Sequence, residues 1–187
     1  MRIITGRARG TKLFTLEGEA TRPTAERTKE AIFSMIQFCV EGREVLDLFG
    51  GSGQLALEAV SRGAAHATIC DSLDGACRII EKNIEKTHSR DSVTLMRTDY
   101  AEALRRLRDR AKFDIVFLDP PYNKGLVSGA LKLLRDYELL KPTSVIVCDS
   151  GGEDILAGGL EAYFEVTKTA RYGIATVTLL KPSAVTE

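Results

Sequence analysis

From Val45 onward, short runs of apolar and β-branched residues alternate with stretches whose apolar positions recur every three or four residues. The runs Val45 to Phe49, Ala67 to Asp71, Val93 to Arg97, Phe113 to Asp119 and Ser144 to Cys148 predict strands. Between them, Gln54 to Arg62 (closed by Gly63), Asp74 to Thr87, Tyr100 to Arg110 and Gly125 to Tyr137 predict helices. In the second of these helices Ala76, Ile79, Ile80 and Ile84 share one face. Strands alternating with helices make βαβ units, and βαβ units make an open, doubly wound parallel sheet of the α/β class.

The alternation stops after Asp149. Tyr163 to Ala170 and Gly173 to Lys181 read as two strands with only a turn between them, a hairpin that would add an antiparallel strand to the sheet. Ahead of Val45, Thr24 to Cys39 predicts a helix, with Ile32, Met35, Ile36 and Cys39 as its stripe and Pro23 just before its start. The first fifteen residues suggest two short strands around Gly6 to Gly10. The expected organisation is a single domain over residues 1–187, with residues 1–20 as a hairpin extension; repeats and linkers are not apparent.

The 187 residues, 44% of them hydrophobic, suffice for a full-sized core. No window approaches the roughly 20 apolar residues of a membrane span, and the start of the chain has no signal-peptide core, so the expected location is the cytoplasm, without a membrane partner. The cysteines Cys39, Cys70, Cys77 and Cys148 form no CxxC pair and read as buried free thiols, so no metal is expected. The 26 basic residues balance the 26 acidic ones, but unevenly: Arg2, Arg7, Arg9 and Lys12 open the chain with no acid among them, and Arg22, Arg27 and Lys29 follow. Neutrality excludes a uniformly basic nucleic-acid wrapper and leaves room for a local basic patch.

The first strand ends in Asp47-Leu48-Phe49-Gly50-Gly51-Ser52-Gly53 and runs into a helix, with Gly51, Gly53 and Ala56 at GxGxxA spacing. Such glycines let a ligand approach the backbone, and Asp71 at the end of the next strand is placed to accept bonds from ribose hydroxyls. A nucleoside-containing cofactor follows. A carboxylate at Asp47 disfavours the pyrophosphate of a dinucleotide and favours the ammonium and sulfonium of S-adenosylmethionine. Asp99 would reach the same sheet edge, as an adenine contact or simply as a helix cap.

The fourth strand ends in Asp119-Pro120-Pro121-Tyr122. Two prolines stop the strand and hold the backbone extended, so that Asp119 and the Pro120 carbonyl project next to the glycine turn. Two acceptors holding the hydrogens of an exocyclic amine turn its lone pair towards an incoming methyl group, and Asp119 is placed to take the released proton. Tyr122 offers a stacking face, worth about 1 to 3 kcal/mol per base.

These residues resemble the Asp-Pro-Pro-Tyr class of S-adenosylmethionine-dependent amino-methyltransferases, and within it the RsmD family of 16S ribosomal RNA guanine-N2 methyltransferases. The resemblance spans nearly the whole chain. Arg2 to Gly6, Arg9 to Leu13, Arg22-Pro23-Thr24 with Arg27, Asp47 to Gly53, Leu57-Glu58-Ala59, Ser61-Arg62-Gly63 and Asp119 to Tyr122 carry it. It implies a Rossmann-like class I methyltransferase with a seven-stranded, mostly parallel sheet whose last strand is antiparallel. It implies a cofactor site from Asp47, Phe49, Gly50, Gly51, Gly53, Asp71, Ser72, Asp99 and Tyr100, and an amine site from Asp119, Pro120, Pro121 and Tyr122. RNA contacts are expected at Arg7, Arg9, Lys12, Arg22, Thr24 and Arg27. The implied partner is 16S ribosomal RNA or the small ribosomal subunit, and a monomer is expected. One departure is Leu73, where many relatives carry a small polar or acidic residue.

Three other functions share parts of this pattern. Adenine-N6 and cytosine-N4 methyltransferases carry the same tetrapeptide, although a sequence-specific DNA enzyme needs a recognition domain for which 187 residues leave little room. A non-catalytic RNA-binding assembly factor would also suit the fold, but every catalytic position is intact. A nicotinamide oxidoreductase would suit the glycine spacing and is opposed by Asp47 and by His66 and His88, both expected to face solvent.

Overall fold

The computed structural model describes residues 1–16, 23–122 and 124–184, without the side chains of residues 23–25. The element order is α1 (Pro23–Met35), β1 (Glu44–Asp47), α2 (Gln54–Ser61), β2 (His66–Asp71), α3 (Asp74–Lys86), β3 (Val93–Arg97), α4 (Tyr100–Leu107), β4 (Phe113–Leu118), α5 (Leu126–Asp136), β5 (Leu140–Asp149), β6 (Phe164–Tyr172) and β7 (Ala175–Pro182), with two short 3₁₀ turns at Arg90–Ser92 and Leu160–Ala162. The seven strands lie in the order β3-β2-β1-β4-β5-β7-β6. Pairings among β1 to β5 are parallel, and β7 runs antiparallel to both neighbours. The hairpin therefore folds back so that its second strand, not its first, joins β5.

The central strands are apolar at nearly every position because both sheet faces are covered. Alternate residues of one strand enter different cores: Val45, Ile115 and Phe117 pack beneath α1, α2 and α3, while Leu46, Leu48, Val116 and Leu118 pack beneath α4 and α5. Phe33 of α1 meets Phe117 of β4 with ring centroids 5.8 Å apart. The first strand order change, between β1 and β4, opens a crevice at the carboxyl edge, where ligands of open α/β sheets bind.

Helix α2 is buried from Leu55 through Ser61, which no amphipathic surface helix would be. Its outer face is covered by the N-terminal segment. That segment is a hairpin held by one bridge, Arg2 to Lys12, and by Ile3 N–H to the Thr11 carbonyl, rather than the two strands expected. Glu58, 0% exposed, ties it down. Its carboxylate accepts the N–H groups of Ile4 (2.7 Å) and Thr5 (3.0 Å), and pairs with Arg62 (2.8 Å) and buried Lys29 (3.4 Å). Gly6 sits so close to α2 that a Cβ there would lie 1.7 Å from the Ser61 carbonyl oxygen.

Two expectations need correction. Helix α1 ends at Met35, and Cys39 beyond it is exposed, so the stripe that included Cys39 is one turn too long and that cysteine is not a buried thiol. Cys70, Cys77 and Cys148 are buried free thiols. No described helix is long and apolar enough to cross a membrane.

Candidate active site

Both sequence motifs open into one cavity of about 880 Å³ at the carboxyl edge of the sheet. One half is walled by Phe49, Gly51, Asp71, Ser72, Asp99 and Tyr100, and the other by Asp119, Pro120, Pro121 and Tyr122. Ten of the thirteen residues expected for cofactor and amine thus line a single space.

The remaining three shape the turn from behind. Gly50 donates its N–H to the Cys70 carbonyl (2.8 Å) and leaves no room for a side chain, since a Cβ would lie 2.5 Å from Ile69 Cγ2. Gly53 caps α2 at φ 76, a left-handed conformation that favours glycine. Asp47, 1% exposed, sits beneath the turn and accepts the backbone N–H groups of Phe49 and Ala56. Burial pushes its carboxyl up to about 7, against those two bonds and with a further upward push from Asp71.

Asp71 holds the turn to the next strand: its Oδ2 accepts the Gly51 N–H at 2.8 Å and its Oδ1 the Leu73 N–H at 2.9 Å. Asp99 is the N-cap of α4, accepting from Ala101 and Glu102 at 3.0 Å each through Oδ1, so it caps and lines the cavity at once. The rings of Phe49 and Tyr100 face one another with centroids 5.5 Å apart, an apolar slot beside these carboxylates.

Two buried acceptors, Asp47 Oδ1 and Gln54 Oε1, have no hydrogen-bond partner, and Gln54 lines the cavity. Partnerless buried acceptors call for an entering donor. Of the two, Gln54 Oε1 faces the cavity, where an ammonium group would satisfy it and a phosphate would not, so this acceptor fits the ammonium of S-adenosylmethionine. Among the described residues no group of His, Cys, Asp and Glu is arranged to hold a metal ion.

Several contributors carry no motif. Leu73, the departure from the family pattern, is 64% exposed and lines the cavity as an apolar wall. Thr15 and Leu16 close one side of it. Buried Asn83 holds them there: its Oδ1 accepts the Phe14 N–H (2.8 Å), and its Nδ2 donates to the carbonyls of Phe14 (3.0 Å) and of Ser52 in the glycine turn (2.8 Å). The Tyr122 hydroxyl donates to Asp149 Oδ1 at 3.0 Å. Burial, then the Asp149 charge, pushes that hydroxyl above the ordinary tyrosine range.

The basic residues are placed differently. Arg7, Arg9, Lys12 and Arg27 are exposed, as binding to an RNA backbone requires, but Arg7 binds the Ser61 carbonyl at the far end of α2 and reaches Ser92 ahead of β3, at the edge of the sheet opposite the cavity. Arg22 and the side chain of Thr24 lie outside the described residues. Lys29 is buried against Glu58, and burial lowers its pKa despite that partner.

Residues 1–181 match the model of a protein family described as conserved hypothetical protein 95, the RsmD family. The chain belongs to this family. Ribosomal RNA small subunit methyltransferase D of Haemophilus influenzae is 34% identical over 151 residues, 80% of this chain and 78% of that protein. YlbH of Bacillus subtilis is 33% identical over 182 residues, 97% of this chain and 98% of YlbH. The solved structure of yhhF from Escherichia coli superposes with a TM-score of 0.85 at 28% identity, covering 98% of both chains. This member of the RsmD family is a methyltransferase with a seven-stranded α/β sheet whose last strand is antiparallel.

Proposed function

We propose that the protein methylates the exocyclic N2 amine of a guanine in 16S ribosomal RNA, free or in the small subunit, with S-adenosylmethionine as donor. The observation that carries this reading is the single cavity lined by both the glycine turn and Asp119 to Tyr122. When bound, S-adenosylmethionine supplies an electrophilic methyl group on its sulfonium sulfur. Gly51, Asp71, Ser72 and Asp99 would hold its polar groups, and Phe49, Tyr100 and Leu73 its apolar faces. Gly50, Gly53 and Asp47 support these from behind.

Asp119 and the Pro120 carbonyl would accept the two amine hydrogens and so direct the nitrogen lone pair into the cofactor half of the cavity. Asp119 takes the released proton, and because its side chain is exposed at the rim it can pass that proton to solvent. Pro121 keeps this backbone rigid, and Tyr122 stacks on a base flipped out of its strand. Arg7, Arg9, Lys12 and Arg27 would bind the RNA backbone outside the cavity. A cytoplasmic monomer suits this reading.

The test is methyl transfer from labelled S-adenosylmethionine to small ribosomal subunits prepared without the modification, with free RNA and DNA alongside and nucleoside analysis of the product. N2-methylguanosine is the expected product; N6-methyladenine or N4-methylcytosine would reassign the target. Asp119→Ala should abolish turnover and leave cofactor affinity, measured by calorimetry, nearly unchanged. Near-normal turnover in that variant would remove Asp119 from the reaction.

A further inference from the structure

Tyr122 is not merely adjacent to the amine site; its ring is fixed from two sides, by the end of β5 and by the loop that follows it. The hydroxyl donates to Asp149 Oδ1 at 3.0 Å, and Asp149 is itself 8% exposed. The same oxygen accepts the N–H groups of Thr176 (3.3 Å) and Gly151 (3.4 Å), so the acceptor is locked into the start of the loop and into β7. Gly151 lies against the ring itself: a Cβ there would stand 2.7 Å from Tyr122 Cγ and Cδ2 and 3.1 Å from Cδ1. At φ 60 this glycine also holds a backbone conformation that side chains disfavour. A ring anchored at its hydroxyl and backed by bare peptide has little freedom to tilt.

We propose that Asp149 and Gly151 are positioning residues for Tyr122, setting the plane on which the target base stacks. The inference rests on the methyltransferase reading above and deepens it. Asp149 touches neither base nor cofactor in this scheme; it acts through Tyr122. Stacking tolerates any base, so a fixed plane serves alignment of the amine with Asp119 and Pro120 rather than choice of base. An unanchored ring would still bind RNA but would present the amine in a wider range of orientations. The cost should therefore fall on the chemical step.

The experiment pairs single-turnover methyl transfer with carbon-13 NMR of protein labelled at tyrosine Cζ. Tyr122→Phe keeps the ring and removes only the anchoring hydroxyl. It should slow the chemical step about 2- to 10-fold, the range of one hydrogen bond, with RNA affinity nearly unchanged. Asp149→Ala, which also strands the Thr176 and Gly151 N–H groups, should lose at least as much, Asp149→Ala with Tyr122→Phe no more than Asp149→Ala alone, and Asp149→Asn, which keeps an acceptor oxygen, should recover most of the rate. Gly151→Ala should slow wild-type protein and have no further effect on chemistry in a Tyr122→Ala background. The Tyr122 resonance, assigned by its loss in Tyr122→Phe, should move further in Asp149→Ala than in Asp149→Asn, which keeps the hydrogen bond and loses only the charge.

Additive losses, or a Tyr122→Phe protein at wild-type rate, would overturn the proposal. So would an unmoved Tyr122 resonance in Asp149→Ala. If Asp149→Ala does not fold, Tyr122→Phe, Asp149→Asn and Gly151→Ala still decide it. A wild-type protein that methylates no nucleic acid would sink the functional reading, and with it the stacking role, while the NMR arm would still report whether Asp149 holds the ring.

Discussion

Asp47 shows how one buried carboxyl can be useful to a binding site and costly to the fold that carries it. Its carboxyl titrates near 7 instead of the ordinary 3.8, because burial disfavours the charge more than the Phe49 and Ala56 N–H groups favour it. The folded protein therefore prefers Asp47 neutral, and the unfolded chain lets it ionise. Its stabilising contribution is complete below about pH 4 and is lost as pH rises to about 7. An asparagine at this position is neutral throughout. Relative to wild type, Asp47→Asn should therefore gain a few kcal/mol between about pH 4 and about pH 8, read from urea unfolding at the two pH values. The same substitution should weaken S-adenosylmethionine binding, because a cation near the cavity is favoured by the carboxylate and not by the amide. An equal stability difference at both pH values would mean that Asp47 ionises as freely in the fold as outside it.

At the scale of elements, the hairpin, α1 and α2 form one clamp whose centre is Glu58. Four groups converge on its carboxylate: two hairpin N–H groups, Arg62 from the same helix and Lys29 from α1. Glu58→Ala would leave Lys29, 1% exposed, without its counter-charge and would strand the Ile4 and Thr5 N–H groups. Removing one partner of a buried pair costs about 3 to 5 kcal/mol, which guanidinium unfolding would register. Adding Lys29→Met should return part of that loss, since the uncompensated charge goes with it. The clamp also marks the boundary of what the sequence discloses. The five parallel strands and four helices between β1 and β5 are legible because each is a local periodicity, and the motif residues are legible because turn and tetrapeptide are contiguous. Glu58, Asn83 and Asp149 are not legible: their partners lie 54, 69 and 27 positions away, and nothing local in Leu57-Glu58-Ala59 tells a core acid from a surface one. The end of α1 fails for a related reason. Cys39 continues the apolar stripe in sequence, but the chain has already left the helix to reach β1.

At the scale of the whole molecule, the chemistry and the basic hairpin tip occupy opposite edges of one sheet. Helix α2 begins at the cavity with Gln54 and ends at Ser61 beneath Arg7, and its eight residues span about 12 Å. A small substrate filling the cavity would never meet Arg7. A folded RNA can reach both, with one nucleotide in the cavity and backbone phosphates along the side covered by the hairpin. The chain is neutral overall, so attraction to such a substrate has to come from a local concentration of cations, such as this strip, and not from net charge. Replacing Arg7, Arg9 and Lys12 by glutamine should therefore weaken RNA binding and reduce the slope of log affinity against log salt by about 2 to 3, near one for each phosphate left without its cation. The effect should fall on KM rather than kcat, since none of the three side chains lines the cavity. A short oligonucleotide confined to the cavity should show no such dependence. An unchanged salt slope on the full ribosomal substrate would move the RNA path to another face of the molecule, and the hairpin would then serve only to cover α2 and to hold Thr15 and Leu16 in the wall of the cavity.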